Sequence, residues 1–242
     1  TLFWTGSQAF VDTPNLESFA VDADNMMFST IDGILFENEA TALIAYPATK
    51  TGAYVIPSSV IWIGDHAFHG VSGLTSVTIP DSVSWIGEYA FYGCGLTDIV
   101  IPSSVEEIGD HAFAMNLSLS DVMIHDGLRV IHEGAFAMNP ALVSIDLPAS
   151  VWHIDPFVFM GSSNLTTINV DLLNPYYRTI NSIVYDNGGT VIQCPEAMTG
   201  DIWIPDGIVR IADGAFMNAS DIQSVILPDT VFEIGDYAFF GT

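Results

Sequence analysis

Residues 78–94 read TIPDSVSWIGEYAFYGC, and close copies of this stretch recur along the chain. They include VIPSSVIWIGDHAFHG at residues 55–70, VIPSSVEEIGDHAFAMN at residues 100–116 and ILPDTVFEIGDYAFFGT at residues 226–242. A unit this short cannot bury its own apolar face, so it must stack on neighbours that carry the same face. The repetition therefore predicts a stacked repeat architecture.

A recurring phenylalanine marks the period of the repeat. These residues are Phe10, Phe68, Phe91, Phe113, Phe136, Phe159, Phe216 and Phe239. Most steps between them are 22 or 23 residues, which falls in the range of leucine-rich repeats, where each unit forms one coil of a solenoid. Two steps are longer, at 58 and 57 residues. Each long step contains an insertion, and the two insertions have similar sequences.

The insertions each contain two short β-rich runs that flank polar turns. These runs are residues 34–36, 43–46, 183–185 and 191–194. In the second insertion the turn is Asn187-Gly188-Gly189, a strong hairpin signal. The pattern predicts two long coils, at about residues 11–56 and 160–204, which are elaborated by β-hairpins.

The alternation of apolar and polar residues within one unit predicts its strand. In LTSVTIP, residues 74–80, Val77 and Ile79 are expected to face the core while Ser76 and Thr78 face outward. Pro80 cannot donate a ladder hydrogen bond, so the strand should end there.

An acidic residue stands shortly before the recurring phenylalanine in most units. These residues are Asp65, Glu88, Asp110, Glu133, Asp213 and Asp236. A carboxylate at this place can accept the free amide hydrogens of a short helical turn. We therefore expect each coil to contain a strand, a turn and a short helix.

The repeat pattern L-x-x-V-x-I-P-x-S-V-x-x-I-G-x-x-A-F-x-G-C resembles the BspA-like class of leucine-rich repeats, found in cell-surface and secreted proteins. The resemblance covers essentially the whole chain. Two units depart from it, with His125 for the Pro, His132 for the Gly, and Asp155-Pro156 where Gly-Asp is usual. It implies a right-handed superhelix, an extracellular or cell-surface location and an adhesive role. We expect one solenoid over residues 1–242, a fragment of a longer array.

Composition excludes several classes of function. The formal charge is −25, with only four Lys and Arg residues, so phosphate backbones would be repelled and nucleic-acid binding is excluded. No apolar run approaches the roughly 18–20 residues that cross a bilayer. The two cysteines, Cys94 and Cys194, are too few for a disulfide framework and are expected to be free core thiols.

No motif for catalysis or for a cofactor occurs in the sequence. There is no Gly-rich phosphate loop, G-x-S-x-G elbow, H-E-x-x-H or C-x-x-C pattern. His125, His132 and His153 occupy different corners of the predicted coil, so we expect them not to converge on a zinc ion. The sequence therefore predicts a protein without catalytic activity, cofactor or metal.

Outward-facing residues provide the candidate binding sites. Asp98, Asp121 and Asp146 lie on nearby coils. Closely spaced carboxylates are what glycosidases use for catalysis, but catalysis also requires a cleft. Because these residues are expected on an open sheet face, we interpret them as a solvated acidic patch. Met123 shares these outward columns, whose varied residues suit either protein recognition or an unused surface. Trp62 and Trp85 occupy identical places on consecutive coils, and Trp152 lies one column over.

The direction of these tryptophan rings separates two interpretations. Outward rings would form an aromatic ladder for a sugar or a protein partner, whereas inward rings would fill the core. The periodicity alone implies only an extended scaffold, but the resemblance implies a non-catalytic surface or secreted protein that adheres through the solenoid face to host, matrix or neighbouring-cell proteins, with a protein or glycan as its ligand. Two alternatives remain open: a structural spacer or filament subunit, and an accessory module of a larger polysaccharide-acting enzyme.

Overall fold

The computed structural model describes residues 5–242, which form a β-solenoid of about eight stacked coils. The strands up to residue 170 are β1 (Phe28–Ile31), β2 (Ile34–Glu37), β3 (Ala42–Ala45), β4 (Gly52–Val55), β5 (Trp62–Ile63), β6 (Leu74–Thr78), β7 (Trp85–Ile86), β8 (Asp98–Ile101), β9 (Glu107–Ile108), β10 (Asp121–Ile124), β11 (Val130–Ile131), β12 (Ser144–Leu147), β13 (His153–Ile154) and β14 (Thr167–Val170). The remaining strands are β15 (Tyr177–Ile180), β16 (Ile183–Asp186), β17 (Thr190–Gln193), β18 (Gly200–Trp203), β19 (Arg210–Ile211), β20 (Ile222–Ile226) and β21 (Glu233–Ile234).

Each ordinary coil contributes one longer strand and one two-residue strand, and these belong to different sheets. The longer strands pair in parallel, as β8 does with β10, where Asp98 lies opposite Asp121. Five of the two-residue strands join β1, β2 and β3 in an eight-stranded sheet of order β1-β2-β3-β5-β7-β9-β11-β13, and the other two, β19 and β21, join a five-stranded sheet of order β15-β16-β17-β19-β21. As predicted from the alternation, Val77 and Ile79 are buried and Thr78 is exposed.

The first seven strands recur later in the chain. β1 begins at Phe28 and β15 begins at Tyr177, 149 positions further on, and strands β2–β7 have counterparts in β16–β21. In each copy three consecutive strands pair antiparallel, β1-β2-β3 and β15-β16-β17. Asn187-Gly188-Gly189 lies in the turn between β16 and β17. Two of the three strands in each copy were predicted, and the third, β1 or β15, was not.

Stacked phenylalanine rings form the centre of the core, as the period predicts. Phe91 is fully buried, with its ring centroid 4.7 Å from that of Phe68 and 5.1 Å from that of Phe113. Tyr46 occupies the place before Phe68 at 4.9 Å. We call the stacked rings of Phe68, Phe91 and Phe113, together with Tyr46, the phenylalanine column. Because each ring covers the next, no coil can bury its ring without its neighbours.

A column of buried polar side chains accompanies the rings. Asn116 and Asn139 are fully buried, and their Nδ2 groups donate to backbone carbonyls of their own coil and of the preceding coil. Asn139 Oδ1 accepts from the Asn116 backbone N–H at 2.9 Å. Ser162 continues the series by donating to the Phe136 carbonyl. These contacts satisfy main-chain groups that the tight turns leave without partners.

The predicted short helices are replaced by turns. Within residues 5–242 the helical structure is limited to the 3₁₀ turn Asn38–Ala40. The φ angle is +58° at His66 and +53° at Tyr89, which breaks a helical path, and the His66 N–H donates to the Glu88 carbonyl of the next coil. The acidic residues also link coils, because Asp65 Oδ1 accepts from the Glu88 backbone N–H at 3.0 Å.

Both thiols are expected to be unreactive in the folded chain. Cys94 and Cys194 are free, buried and part of different apolar clusters, and burial raises the pKa of each thiol to about 12. A thiol reagent should therefore label neither cysteine before unfolding and both after unfolding without reductant. An intrachain disulfide in a non-reducing peptide map would contradict this.

Candidate functional site

Trp62 and Trp85 lie side by side on the eight-stranded sheet. They are direct partners on β5 and β7, and their ring centroids are 6.4 Å apart at an angle of 50°. Ile63 and Ile86, the next residue on each strand, are fully buried, so the tryptophans point away from the core. Trp62 is 44% exposed and Trp85 is partly exposed. Of the two orientations considered from the sequence, the structure therefore has the one in which the tryptophan rings face outward.

The tryptophan pair forms one wall of a groove of about 340 Å³. We call it the tryptophan groove, and its principal lining side chains are Phe10, Glu37, Ile44, Trp62, Asp65 and Trp85. The first long coil supplies Glu37 at the end of β2 and Ile44 in β3. The groove exists because this coil lies directly beside β5, where Ala42 is the partner of Trp62.

The charged side chains that line the groove are both acidic. Glu37 and Asp65 line it, and no Lys or Arg is among the residues of the 5–242 range that line it. Two of the four basic residues of the chain are engaged elsewhere, since Arg129 pairs with Glu106 at 2.9 Å and Arg210 with Glu233 at 3.0 Å. A cationic group bound here would form cation–π contacts with the aromatic faces and ion pairs with the carboxylates.

The other predicted site residues do not join the tryptophan groove. Asp98, Asp121 and Met123 lie on β8 and β10, which form a two-stranded sheet, and Asp146 lies on β12, which pairs with β14 in another. Trp152 is 48% exposed but immediately precedes β13, several coils from Trp85. The predicted residues therefore fall into separate groups on three sheets.

The acidic residues of the longer strands have the character of a solvated patch. Asp98, Asp121 and Asp146 are exposed, and Met123 beside them is 54% exposed. Asp98 accepts a hydrogen bond from the Thr97 hydroxyl, and Asp146 accepts one from the Asn169 side-chain amide, each at 2.8 Å. These exposed partners do not create the protected environment that a general acid requires.

Two histidines converge on one aspartate, contrary to the prediction that they would not. His132 Nδ1 lies 3.1 Å from Asp155 Oδ2, and His153 Nε2 lies 2.9 Å from Asp155 Oδ1. The prediction was wrong because residues 23 positions apart occupy the same corner on adjacent coils, which places His132 directly beside Asp155. That spacing was readable from the sequence.

Stacked aromatic rings on the turn side form a second feature that sequence reasoning missed. His66 stacks on Tyr89 with centroids 5.0 Å apart, Tyr89 lies 4.9 Å from His111, and His69 stacks on Tyr92 at 5.0 Å. Burial lowers the pKa of both His66 and His69, which favours neutral rings in the stack. The 23-residue spacing was again the available signal.

Comparison with known families identifies the repeat. The model of the BspA type leucine-rich repeat region matches residues 45–166 and 196–242, in six copies. The chain belongs to this family. No curated protein sequence matches this BspA-type chain. Among residues 5–242, no helix is long and apolar enough to cross a membrane.

Solved structures share the fold of this BspA-type chain. The pneumococcal vaccine antigen PcpA matches with a TM-score of 0.75 and 21% identity, over 96% of this chain and 60% of the antigen. A leucine-rich cell-surface protein from Faecalibacterium prausnitzii A2-165 matches with a TM-score of 0.64 and 24% identity, over 90% of this chain and 75% of that protein. The T. pallidum leucine-rich repeat protein matches with a TM-score of 0.58 and 24% identity, over 91% of this chain and 88% of its own.

Proposed function

We propose that this chain is a non-catalytic surface or secreted protein that adheres to host, matrix or neighbouring-cell proteins, and that the tryptophan groove is a contact site. The observation that carries the proposal is the pair of outward-facing tryptophans, Trp62 and Trp85, beside a groove. The likeness in fold to a bacterial cell-surface protein and to a pneumococcal antigen supports the surface location.

The partner is a protein segment that carries a basic side chain next to an apolar anchor. Trp62, Phe10 and Ile44 provide apolar contact area, and Glu37 and Asp65 provide negative charge. A Lys or Arg between the tryptophan rings and these carboxylates would gain cation–π and ionic contacts. The net charge of −25 would also attract a basic partner and accelerate its encounter.

Binding to a panel of ligands tests this proposal. Labelled chain is applied to immobilised matrix proteins, to proteins from cell surfaces and to a glycan array. We expect saturable binding to one or more proteins and at least about tenfold weaker binding by the Trp62→Ser/Trp85→Ser variant, because buried tryptophans at interface centres are often each worth about 2 kcal/mol or more. Trp152→Ser, which changes an exposed tryptophan outside the groove, should bind as wild type.

The charge of the groove gives a separate prediction. Glu37→Gln/Asp65→Asn removes two carboxylates but retains amide oxygens, so the Asp65 contact to the Glu88 N–H can persist. We expect this variant to associate more slowly and to show a weaker salt dependence of binding than wild type, as measured by surface plasmon resonance at two ionic strengths. Unchanged salt dependence would contradict a basic partner. Binding to the glycan array alone would contradict a protein partner and would indicate that the ligand is a sugar.

A further inference from the structure

A cluster of imidazole and carboxylate groups lies outside the tryptophan groove, on the coils that contain β9, β11 and β13. Asp110, His132 and Asp155 each offer one ligand atom, and these atoms all lie within 4.8 Å of one another. All three residues are partly buried. They come from three consecutive coils, so the stacking of the solenoid brings them together.

Two of these residues replace the glycine of the repeat. Gly64, Gly87 and Gly109 hold this place on the preceding coils, and a Cβ at Gly109 would lie 2.8 Å from both the Glu88 nitrogen and the Gly87 carbonyl carbon. The position therefore ordinarily excludes a side chain. His132 and Asp155 are consecutive exceptions, and their side chains face each other.

The distance between these two side chains suits a bound ion. His132 Nδ1 and Asp155 Oδ2 are 3.1 Å apart. Two ligands of a tetrahedral zinc ion, at bonds of about 2.0–2.1 Å, are separated by about 3.3 Å. The contact is now a hydrogen bond, and an ion would take the place of its proton; the neutral ring would then bind through Nδ1 and carry its proton on Nε2, on the side of Glu107.

A side chain lies behind each of these two ligands, and the one behind Asp155 is hydrogen-bonded to it. His132 Nε2 lies 3.7 Å from Glu107 Oε2, and His153 Nε2 lies 2.9 Å from Asp155 Oδ1. A carboxylate on the far nitrogen of a histidine is the usual support of a metal-bound imidazole, because it fixes the ring and raises its basicity. His153 likewise orients Asp155 and leaves Oδ2 available to the ion.

We propose that Asp110, His132 and Asp155 bind one divalent transition-metal ion of the zinc type, with water in the remaining coordination position. Imidazole nitrogen combined with carboxylate oxygen favours zinc over calcium or magnesium, which prefer all-oxygen sites. The strong negative charge of the chain further favours a cation at this partly exposed place.

Isothermal titration of the metal-free, untagged chain with ZnCl₂, in excess Mg²⁺, tests the site. We expect one zinc ion per chain and a zinc-dependent rise in melting temperature. His132→Gly restores the glycine of the other coils, so it should fold and should bind zinc at least about tenfold more weakly. Asp155→Asn retains an oxygen for His153 and should also weaken binding. His125→Ala changes an exposed histidine outside the cluster and should bind as wild type.

Two results would overturn the site. One is the absence of saturable zinc binding by the wild-type chain in excess Mg²⁺, because the acidic surface alone would then account for any cation association. The other is zinc binding by His132→Gly with the stoichiometry and affinity of wild type. Circular dichroism of each variant establishes that a loss of binding is not a loss of fold.

Discussion

Replacing Phe91 by Ala is expected to lower the free energy of unfolding by about 3–5 kcal/mol. The ring is fully buried and stacks on Phe68 and Phe113 at 4.7 and 5.1 Å, so its removal leaves a cavity between two neighbouring coils. The rigid column cannot close over this cavity, because each ring is already in contact with the next. Urea unfolding followed by far-ultraviolet circular dichroism measures the change.

The control for this substitution is a phenylalanine outside the core. Phe232 is 77% exposed, so Phe232→Ala should change the free energy of unfolding by less than about 1 kcal/mol. Equal effects of the two substitutions would contradict the phenylalanine column as the centre of the core.

Replacing Asn139 by Ala is expected to cost about 2–4 kcal/mol. Its Nδ2 donates to the carbonyls of Phe113 and Phe136, each at 3.0 Å, and its Oδ1 is the acceptor for the Asn116 N–H. An alanine would leave that buried N–H without its acceptor and remove one donor from each carbonyl. The same urea titration measures the effect.

Asn164→Ala provides the matched control. Asn164 also donates to a backbone carbonyl, that of Pro140 at 2.7 Å, but the contact is exposed and water can replace it. We expect a loss below about 1 kcal/mol. If Asn139→Ala were no more destabilising than Asn164→Ala, the buried polar column would not stabilise the stacking of the coils.

Much of the fold is predictable from spacing, because side chains 22 or 23 positions apart contact one another directly. Phe91 and Phe113 show this in the core, and the alternation around Val77 shows it in a strand. The prediction of short helices was wrong because a carboxylate in this place does not cap a helix of its own coil but accepts from the next coil. In the structure the amides after Asp65 donate to the next coil, as His66 N–H does to the Glu88 carbonyl, so no helix is needed to satisfy them.

The candidate site was less predictable for two reasons. A two-residue strand such as β5 is too short to show an alternation, so the direction of Trp62 could not be deduced from its neighbours. The sequence also does not say which sheet a residue joins, and in the structure Asp98 and Trp85 lie on different sheets. By contrast, the contact between His132 and Asp155 follows from their spacing and could have been predicted.

Adhesion and stability measured together on the Trp62→Ser/Trp85→Ser chain test the central claim that this pair forms a binding surface. We expect the variant to lose most adhesion to cells or matrix that bind the wild type, while its free energy of unfolding falls by less than the change for Phe91→Ala, about 3–5 kcal/mol. Undiminished adhesion would contradict the claim, and so would unfolding as severe as that of Phe91→Ala, which would place the pair in the core.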